Sequence, residues 1–335
     1  MSQTVIPKGY KSVLTTYQTQ SAIGRLKRVF EDNLSMALNL HRVSAPLIVE
    51  PRTGLNDNLT GVERPVEFDV PETKGTAQIV HSLAKWKRMA LCKYGFPAGV
   101  GIYTDMNAIR REEVLDNTHS IYVDQWDWEV VITREQRTEE FLRQTVERIV
   151  ESICAASERL RWDYPELPVS LRREVTFITA QELEDLYPGL SPEEREDVFA
   201  KEHKTVFIMK IGGQLRSGGR HGSRAPDYDD WSLNGDIIFW HDLLGRALEI
   251  SSMGIRVDEK ALDFQLSEAN CDYRRGLDFH KALLAGKLPL TMGGGIGQSR
   301  LCMLLMAKAH IGEVQVSIWD EDTHKICEQA GIALL

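Results

Sequence analysis

A handful of aspartates, arginines and glycines, gathered in a few short stretches, are the residues of this 335-residue chain best suited to chemistry. "GGGIGQSRLCMLLM", from Gly293 to Met306, sets three adjacent glycines and a fourth two places on before an apolar helix whose first turn carries Arg300. Glycines let a flat base or a phosphate approach the backbone, and a helix N-terminus offers unpaired N–H groups and positive potential to an anion. Two common nucleotide loops fail here. The G-x-G-x-x-G spacing begun by Gly295 and Gly297 ends on Arg300, too near the chain's end for a dinucleotide fold to follow, and there is no G-x-x-x-x-G-K-[ST]. A glycine-rich turn feeding a helix remains, and a tight strand-to-helix turn with a surface arginine fits the same spacing.

"HSIYVDQWDWE" alternates. As a strand it puts Tyr122, Trp126 and Trp128 on one face and Gln125, Asp127 and Glu129 on the other, an amide and two carboxylates suited to a zwitterion or to an exposed edge. In "HSLAKWKR", Lys87 falls on the apolar stripe of a helix with Leu83, Ala90, Leu91 and Tyr94, where it either snorkels or reaches a carboxylate, with Ser82 at the helix start. "RAPDYDDWSLNGD" packs Asp227, Asp229, Asp230 and Asp236 together, and "LEISSMGIR" adds Glu249, Ser252 and Arg256. Magnesium favours such oxygen ligands beside substrate phosphates, which makes Asp236 and Glu249 metal candidates; a solvated acidic loop is the alternative. Asp57 in "NDNLTG" reads, by itself, as a turn residue.

The elements that must position these groups follow from periodicity. Helices are expected over Gln18–Leu40, Leu83–Tyr94 and Glu135–Leu160, and Ser191 with Glu194 forms a capping box opening another. "SAPLIVE" reads as extended; "VEFDV", "AQIVH", "GIYTDM", "SIYVDQWDWEVVI", "EVTFITA", "TVFIMKIG", "GDIIFW" and "ALEISSMGIRV" read as strands, with "VQVSIW" as a last one. A long Gly/Arg/Asp loop spans Gly212 to Trp231, and two short helices precede the triple glycine. Consecutive strands after Thr205 oppose βαβ alternation and predict an α+β domain, a mixed, mainly antiparallel sheet flanked by helices. Without repeats or a Pro/Ser-rich linker, residues 1–335 are expected to form a single domain.

A net charge of −9 argues against a nucleic-acid footprint. The five cysteines lack metal or disulfide spacing, and neither an apolar leader nor a membrane-length run is present, so a cytoplasmic protein is expected.

Together these blocks resemble the catalytic core of class II aminoacyl-tRNA synthetases, especially the aspartyl/asparaginyl branch. The first helix with "SAPLIVE" resembles motif 1, which implies a homodimer with Pro46 at its interface. "AIRREEVLDNTHSIYVDQWDWE" resembles motif 2, placing Arg110 at the α-phosphate arginine, and "GGGIGQSRLCMLL" resembles motif 3, placing Arg300 beside adenine and the γ-phosphate. "GLNDNLTG", "IVHSLAKWKR", "RAPDYDDW", "LNGD" and "LEISSMGIRV" are similar to the ammonia-dependent asparagine synthetases of that superfamily.

The resemblance implies ATP-dependent conversion of L-aspartate and ammonia to asparagine through β-aspartyl-AMP, releasing AMP and pyrophosphate. It implies ATP at Arg110, Ser252, Arg256, Gly294 and Arg300, with Mg²⁺ on Asp236 and Glu249. Lys87, Gln125 and Ser82 would hold the aspartate α-carboxylate, Asp127 and Asp229 its ammonium, and Asp57 would steer ammonia. Asp57, Arg110 and Gln125 are thereby the catalytic candidates, Arg110 at the meeting point of carboxylate and α-phosphate and Asp57 as the base. Aspartyl- or asparaginyl-tRNA synthesis is the competing reading; the chain starts almost at motif 1, which leaves no room for an anticodon-binding barrel.

Overall fold

The protein was analysed as a computed structural model that describes residues 3–59 and 63–335; Thr60 and Gly61, the end of the "NDNLTG" turn, lie outside them. In chain order the strands are β1 (Leu40–Arg42), β2 (Ile48–Val49), β3 (Glu67–Val70), β4 (Gly75–Ile79), β5 (Gly101–Ile109), β6 (Tyr122–Val131), β7 (Thr176–Thr179), β8 (Thr205–Met209), β9 (Asp229–His241), β10 (Arg246–Arg256) and β11 (Thr291–Gly297). The helices are α1 (Thr16–Leu38), α2 (Ala84–Tyr94), α3 (Glu139–Asp163), α4 (Ala180–Leu186), α5 (Pro192–His203), α6 (Glu259–Glu268), α7 (Asp278–Leu284), α8 (Gln298–Leu305) and α9 (Glu321–Gln329).

The central sheet runs β1-β5-β6-β11-β10-β9-β8-β7, with only its outer pairs, β1–β5 and β7–β8, parallel; β2, β4 and β3 form a small antiparallel sheet beside it. This is the mixed, mainly antiparallel sheet expected.

The long helices form where periodicity and caps agree. Ala22, Leu26, Phe30 and Leu34 of α1 are buried at four-residue steps; Thr15 and Gln18 close a capping box, and Asn39 ends the helix in the left-handed region at φ 55°. The helix therefore starts two residues before Gln18 and stops two before Leu40. Helix α3 starts four residues later than expected, because Thr138 accepts from the Phe141 N–H and caps it. Both helices cover one face of the sheet, burying Phe30, Val146 and Ile149 against Trp126 and Trp128 of β6 and Ile237 of β9. That leaves the opposite face of β6, with Gln125 and Asp127, for a site. Among the described residues no helix is long and apolar enough to cross a membrane.

Two expectations need correction. "VQVSIW" is not a strand: Val316 and Ile318 are exposed, and no neighbouring backbone pairs with the segment in either sheet. The triple glycine is not a turn. Gly293 to Gly297 lie within β11, in mid-sheet, paired with Glu129 to Gln125 on one side, and Gly293 to Gly295 pair with Gly254 to Ser252 on the other. None of these glycines has a positive φ, so backbone freedom is not the reason for them. Space is. A methyl at Gly294 would meet the Met253 Cβ at 2.6 Å and the Ser252 carbonyl oxygen at 2.8 Å, and one at Gly293 would meet the Arg256 Nη2 at 2.7 Å.

Two stability predictions follow from this packing. Gly294→Ala must push β11 off β10, and should lower urea-unfolding stability by about 2–3 kcal/mol, the cost of overpacking a tight core. Burial presses His241 and His310 down to about 4, and each Nδ1 accepts a backbone N–H, from Leu244 and Gly312 respectively. The unfolded chain takes up these protons near pH 6.5 and the folded one near 4. Stability is therefore complete above pH 6.5 and is lost between 6.5 and 4, by up to on the order of 3 kcal/mol per histidine. Urea titrations across that range should show the decline for the wild type and a shallower one for His310→Gln.

Candidate active site

On the far face of β6, β11 and β10 opens a cleft of about 380 Å³, lined by Asp57, Ser82, Lys87, Arg110, Gln125, Asp127, Asp229, Glu249, Ser252, Arg256, Gly294 and Arg300. The fold thus gathers residues separated by more than 200 positions of sequence. Four of the acids singled out in the sequence, Glu129, Asp227, Asp230 and Asp236, are not on the wall; Asp236 is bonded to Arg224, which is.

The floor is a buried ion lattice. Lys87 reaches from α2, 1% exposed, into contact with Asp127, donates to the Gly294 carbonyl at 2.9 Å, and lies 4.0 Å from Glu129. Arg256 clamps Glu129, with Nη2 2.7 Å and Nε 3.1 Å from the carboxylate, and its Nη1 donates to Asp229. Burial pushes the Lys87 ammonium below its ordinary range against the pull of Asp127, so its charge depends on these partners. For Arg256, burial opposes the charge, but Glu129 and Asp229 outweigh it and raise the pKa. Glu129 is held down in turn: burial would lift it, and Arg256, then Lys87, overcome that.

The structure places Lys87 and Asp127, expected on opposite ends of a zwitterion, against each other. One bond does not exhaust either group. Asp127 Oδ2 is buried with no partner among the described residues, and on the other wall so is the Arg110 Nε. Arg110 follows β5, and among the described residues its guanidinium has Glu113, 3.9 Å away, as its ion partner. An unfilled acceptor and an unfilled donor thus sit on residues lining one cleft, one suited to a cation and the other to an anion.

Asp57 is 4% exposed; it accepts from the Leu59 N–H at 2.8 Å and from Ser82 Oγ at 2.9 Å, so Ser82 orients Asp57 in this state. Arg300 donates to the Thr118 carbonyl and lies 3.6 Å from Glu249. The N-terminus of α8 already has one of its backbone donors taken. Asp124 of β6 accepts the Ser299 N–H at 3.1 Å and its Oγ at 2.8 Å, which puts a carboxylate at that end of the helix.

On the Glu249 side, Asp236 pairs in register with Ser252, and a β-bulge after Glu249 shifts that acid along β10. Burial lifts the Asp236 carboxyl to about 6; Arg224 opposes the shift and Glu249 adds to it. Two acids and a hydroxyl, met here by Arg224 and Arg300, make a hard-oxygen set that fits magnesium. Among the described residues no three His, Cys, Asp or Glu side chains converge on a metal, so such an ion would draw further ligands from phosphates and water.

Sequence reasoning missed Arg224, Tyr228 and His119, all on the wall. Arg224 sits in the glycine-rich "RSGGRHGSRAPD", where the long loop hid its one signal, a cation placed directly before an acidic run.

Against this geometry, an aspartate–ammonia ligase family model matches residues 17–331. An aspartate–ammonia ligase of Clostridium tetani is 58% identical over 332 residues, 99% of this chain and 97% of the relative; one of Ruminiclostridium cellulolyticum is 56% identical over the full length of both. Among solved structures, the asparaginyl-tRNA synthetase of Entamoeba histolytica in complex with asparaginyl-adenylate matches with a TM-score of 0.66 at 13% identity. The match covers 90% of this chain and 66% of that one, a little under two-thirds of the synthetase. The Pyrococcus horikoshii enzyme, also with asparaginyl-adenylate, gives 0.61 at 16% identity, covering 88% of this chain and 68% of that one. At such identities these likenesses establish the class II synthetase fold alone. The match to the ligases, more than half identical from end to end, establishes the family: the chain belongs to the aspartate–ammonia ligases.

Proposed function

We propose that the protein joins L-aspartate and ammonia at the cost of ATP, through β-aspartyl-AMP, releasing AMP and pyrophosphate and yielding L-asparagine. The observation that carries this reading is the pairing of an unfilled acceptor, Asp127 Oδ2, with an unfilled donor, Arg110 Nε, in one cleft.

A carboxylate resists amines because its leaving group would be oxide; adenylation supplies a good one. Two anions, the β-carboxylate and the α-phosphate, must then be brought together, which requires fixed positive charge at their meeting point. Arg110 provides it, and Arg300 with Ser252 holds the rest of the nucleotide along β10, beside Gly294 of β11. Arg256 acts from below through Asp229. The substrate ammonium inserts at Asp127 and Asp229, and its α-carboxylate lies at Lys87 and Gln125, leaving only the β-carboxylate free to react. Asp57, oriented by Ser82, receives ammonium and removes the proton that blocks its lone pair. Magnesium, held by Asp236 and Glu249, would offset the charge of the phosphates.

Tyr17, Leu47 and Ile48 leave apolar surface on α1 and β2, 82%, 51% and 43% exposed, and a homodimer would cover it. A cytoplasmic setting, where ATP is plentiful, suits this reading, as do five free cysteines.

The deciding experiment supplies protein, Mg·ATP and labelled aspartate with ammonia or with tRNA. Free labelled asparagine is expected; label in tRNA instead would establish the aspartyl/asparaginyl-tRNA synthetase type of aminoacylation and end this reading. Arg110→Ala should lower kcat by about 10²–10³, the loss typical of one transition-state charge donor, while unfolding at the wild-type midpoint. Near-normal turnover would exclude Arg110 from the reacting centre.

A further inference from the structure

The cation nearest the proposed metal ligands is already part of the chain. Arg224, at the end of the loop between β8 and β9, has a side chain only 8% exposed. Its Nη2 donates to Asp236 Oδ1 at 2.6 Å and its Nη1 to Ser252 Oγ, while Nε lies 3.9 Å from Asp229 and is buried without a hydrogen-bond partner among the described residues. The guanidinium thus occupies the two oxygen groups of the set that lie paired across β9 and β10, and it lines the cleft beside them.

We infer that Arg224 is a stand-in cation: it fills the Asp236–Ser252 site in the free protein and excludes free divalent metal, so that metal enters only together with nucleotide. The inference rests on the reading of Asp236 and Glu249 as metal ligands. The physical reason is competition. An arginine is charged at every working pH and cannot leave by losing a proton, so an incoming cation must displace it and leave its charge buried unless an anion arrives as well. Free magnesium brings no such anion. Metal bound to ATP does: the phosphates accept the displaced guanidinium, and the exchange leaves no charge unpaired. Arg224 therefore selects the metal–nucleotide complex over the bare metal, and spares the empty site from trapping metal in a form that cannot react.

The test is binding of Mn²⁺ alone to the intact protein, read from the electron-spin resonance of the free ion, with no substrate and no turnover. If the guanidinium holds the site in about nine molecules of ten, removing it tightens free Mn²⁺ binding about tenfold. Arg224→Gln should show this gain, and Arg224→Lys, which keeps the charge, should show much less. Thermal melting of each variant verifies that it is folded. Mn²⁺ affinity in folded Arg224→Gln equal to or weaker than that of the wild type would overturn the inference, as would a gain that survives when Asp236→Asn is added. Failure of the metal reading itself looks different: Asp236→Asn alone would then leave Mn²⁺ binding in the presence of ATP unchanged.

Discussion

Everything in this cleft depends on a buried exchange of charge among Lys87, Arg256, Asp127, Glu129 and Asp229. Any one of these ions alone in the interior would cost several kcal/mol. Together they compensate: two cations meet three carboxylates, and the remaining negative character faces the cleft at Asp127. A zwitterion with an extra carboxylate fits such a floor because it brings one cation to the carboxylates and keeps its anions for the lysine and the arginines. On the proposed reading, substrate recognition and fold stability share the same side chains.

The glycine strand makes that lattice possible. At Gly293 and Gly295 any larger side chain would occupy the volume that Glu129, Arg256 and Gln125 fill. At Gly294 the bare backbone offers its carbonyl to Lys87. A sheet normally presents a side chain on each face at every second residue; here one strand gives up its side chains, and its two neighbours reach across it. The result is a charged trough at the centre of a rigid sheet, backed by Trp126, Trp128 and the long helices. On the proposed reading rigidity serves the chemistry, since adenylation requires two mutually repelling anions to be held within reach of each other.

How much of this was legible in the sequence follows from what each signal encodes. Helices α1 and α3 were readable because their burial is periodic, and β6 because Trp126 and Trp128 alternate with Gln125 and Asp127. The residues lining the cleft were legible by type and motif. Their pairing was not: nothing local says that Lys87 meets Asp127, 40 residues away, or that Arg256 meets Glu129, 127 residues away. The glycines misled because a run of them signals a turn by composition, whereas here the requirement is space, set by strands β6 and β10. "VQVSIW" misled for the converse reason: its alternation is that of a strand, but no strand pairs with it, and Val316 and Ile318 face solvent. Arg224 was lost in a loop whose composition hides a single buried cation.

The central claim is that the β-carboxylate is activated by attack on the α-phosphorus. It is tested most directly by following oxygen. With aspartate labelled by ¹⁸O in its β-carboxylate, adenylation joins one labelled oxygen to phosphorus, and ammonia then breaks its bond to carbon. Mass spectrometry of the products should find one ¹⁸O in AMP and none in pyrophosphate. Label in inorganic phosphate, with ADP as the nucleotide product, would mean attack on the γ-phosphorus and would contradict the account.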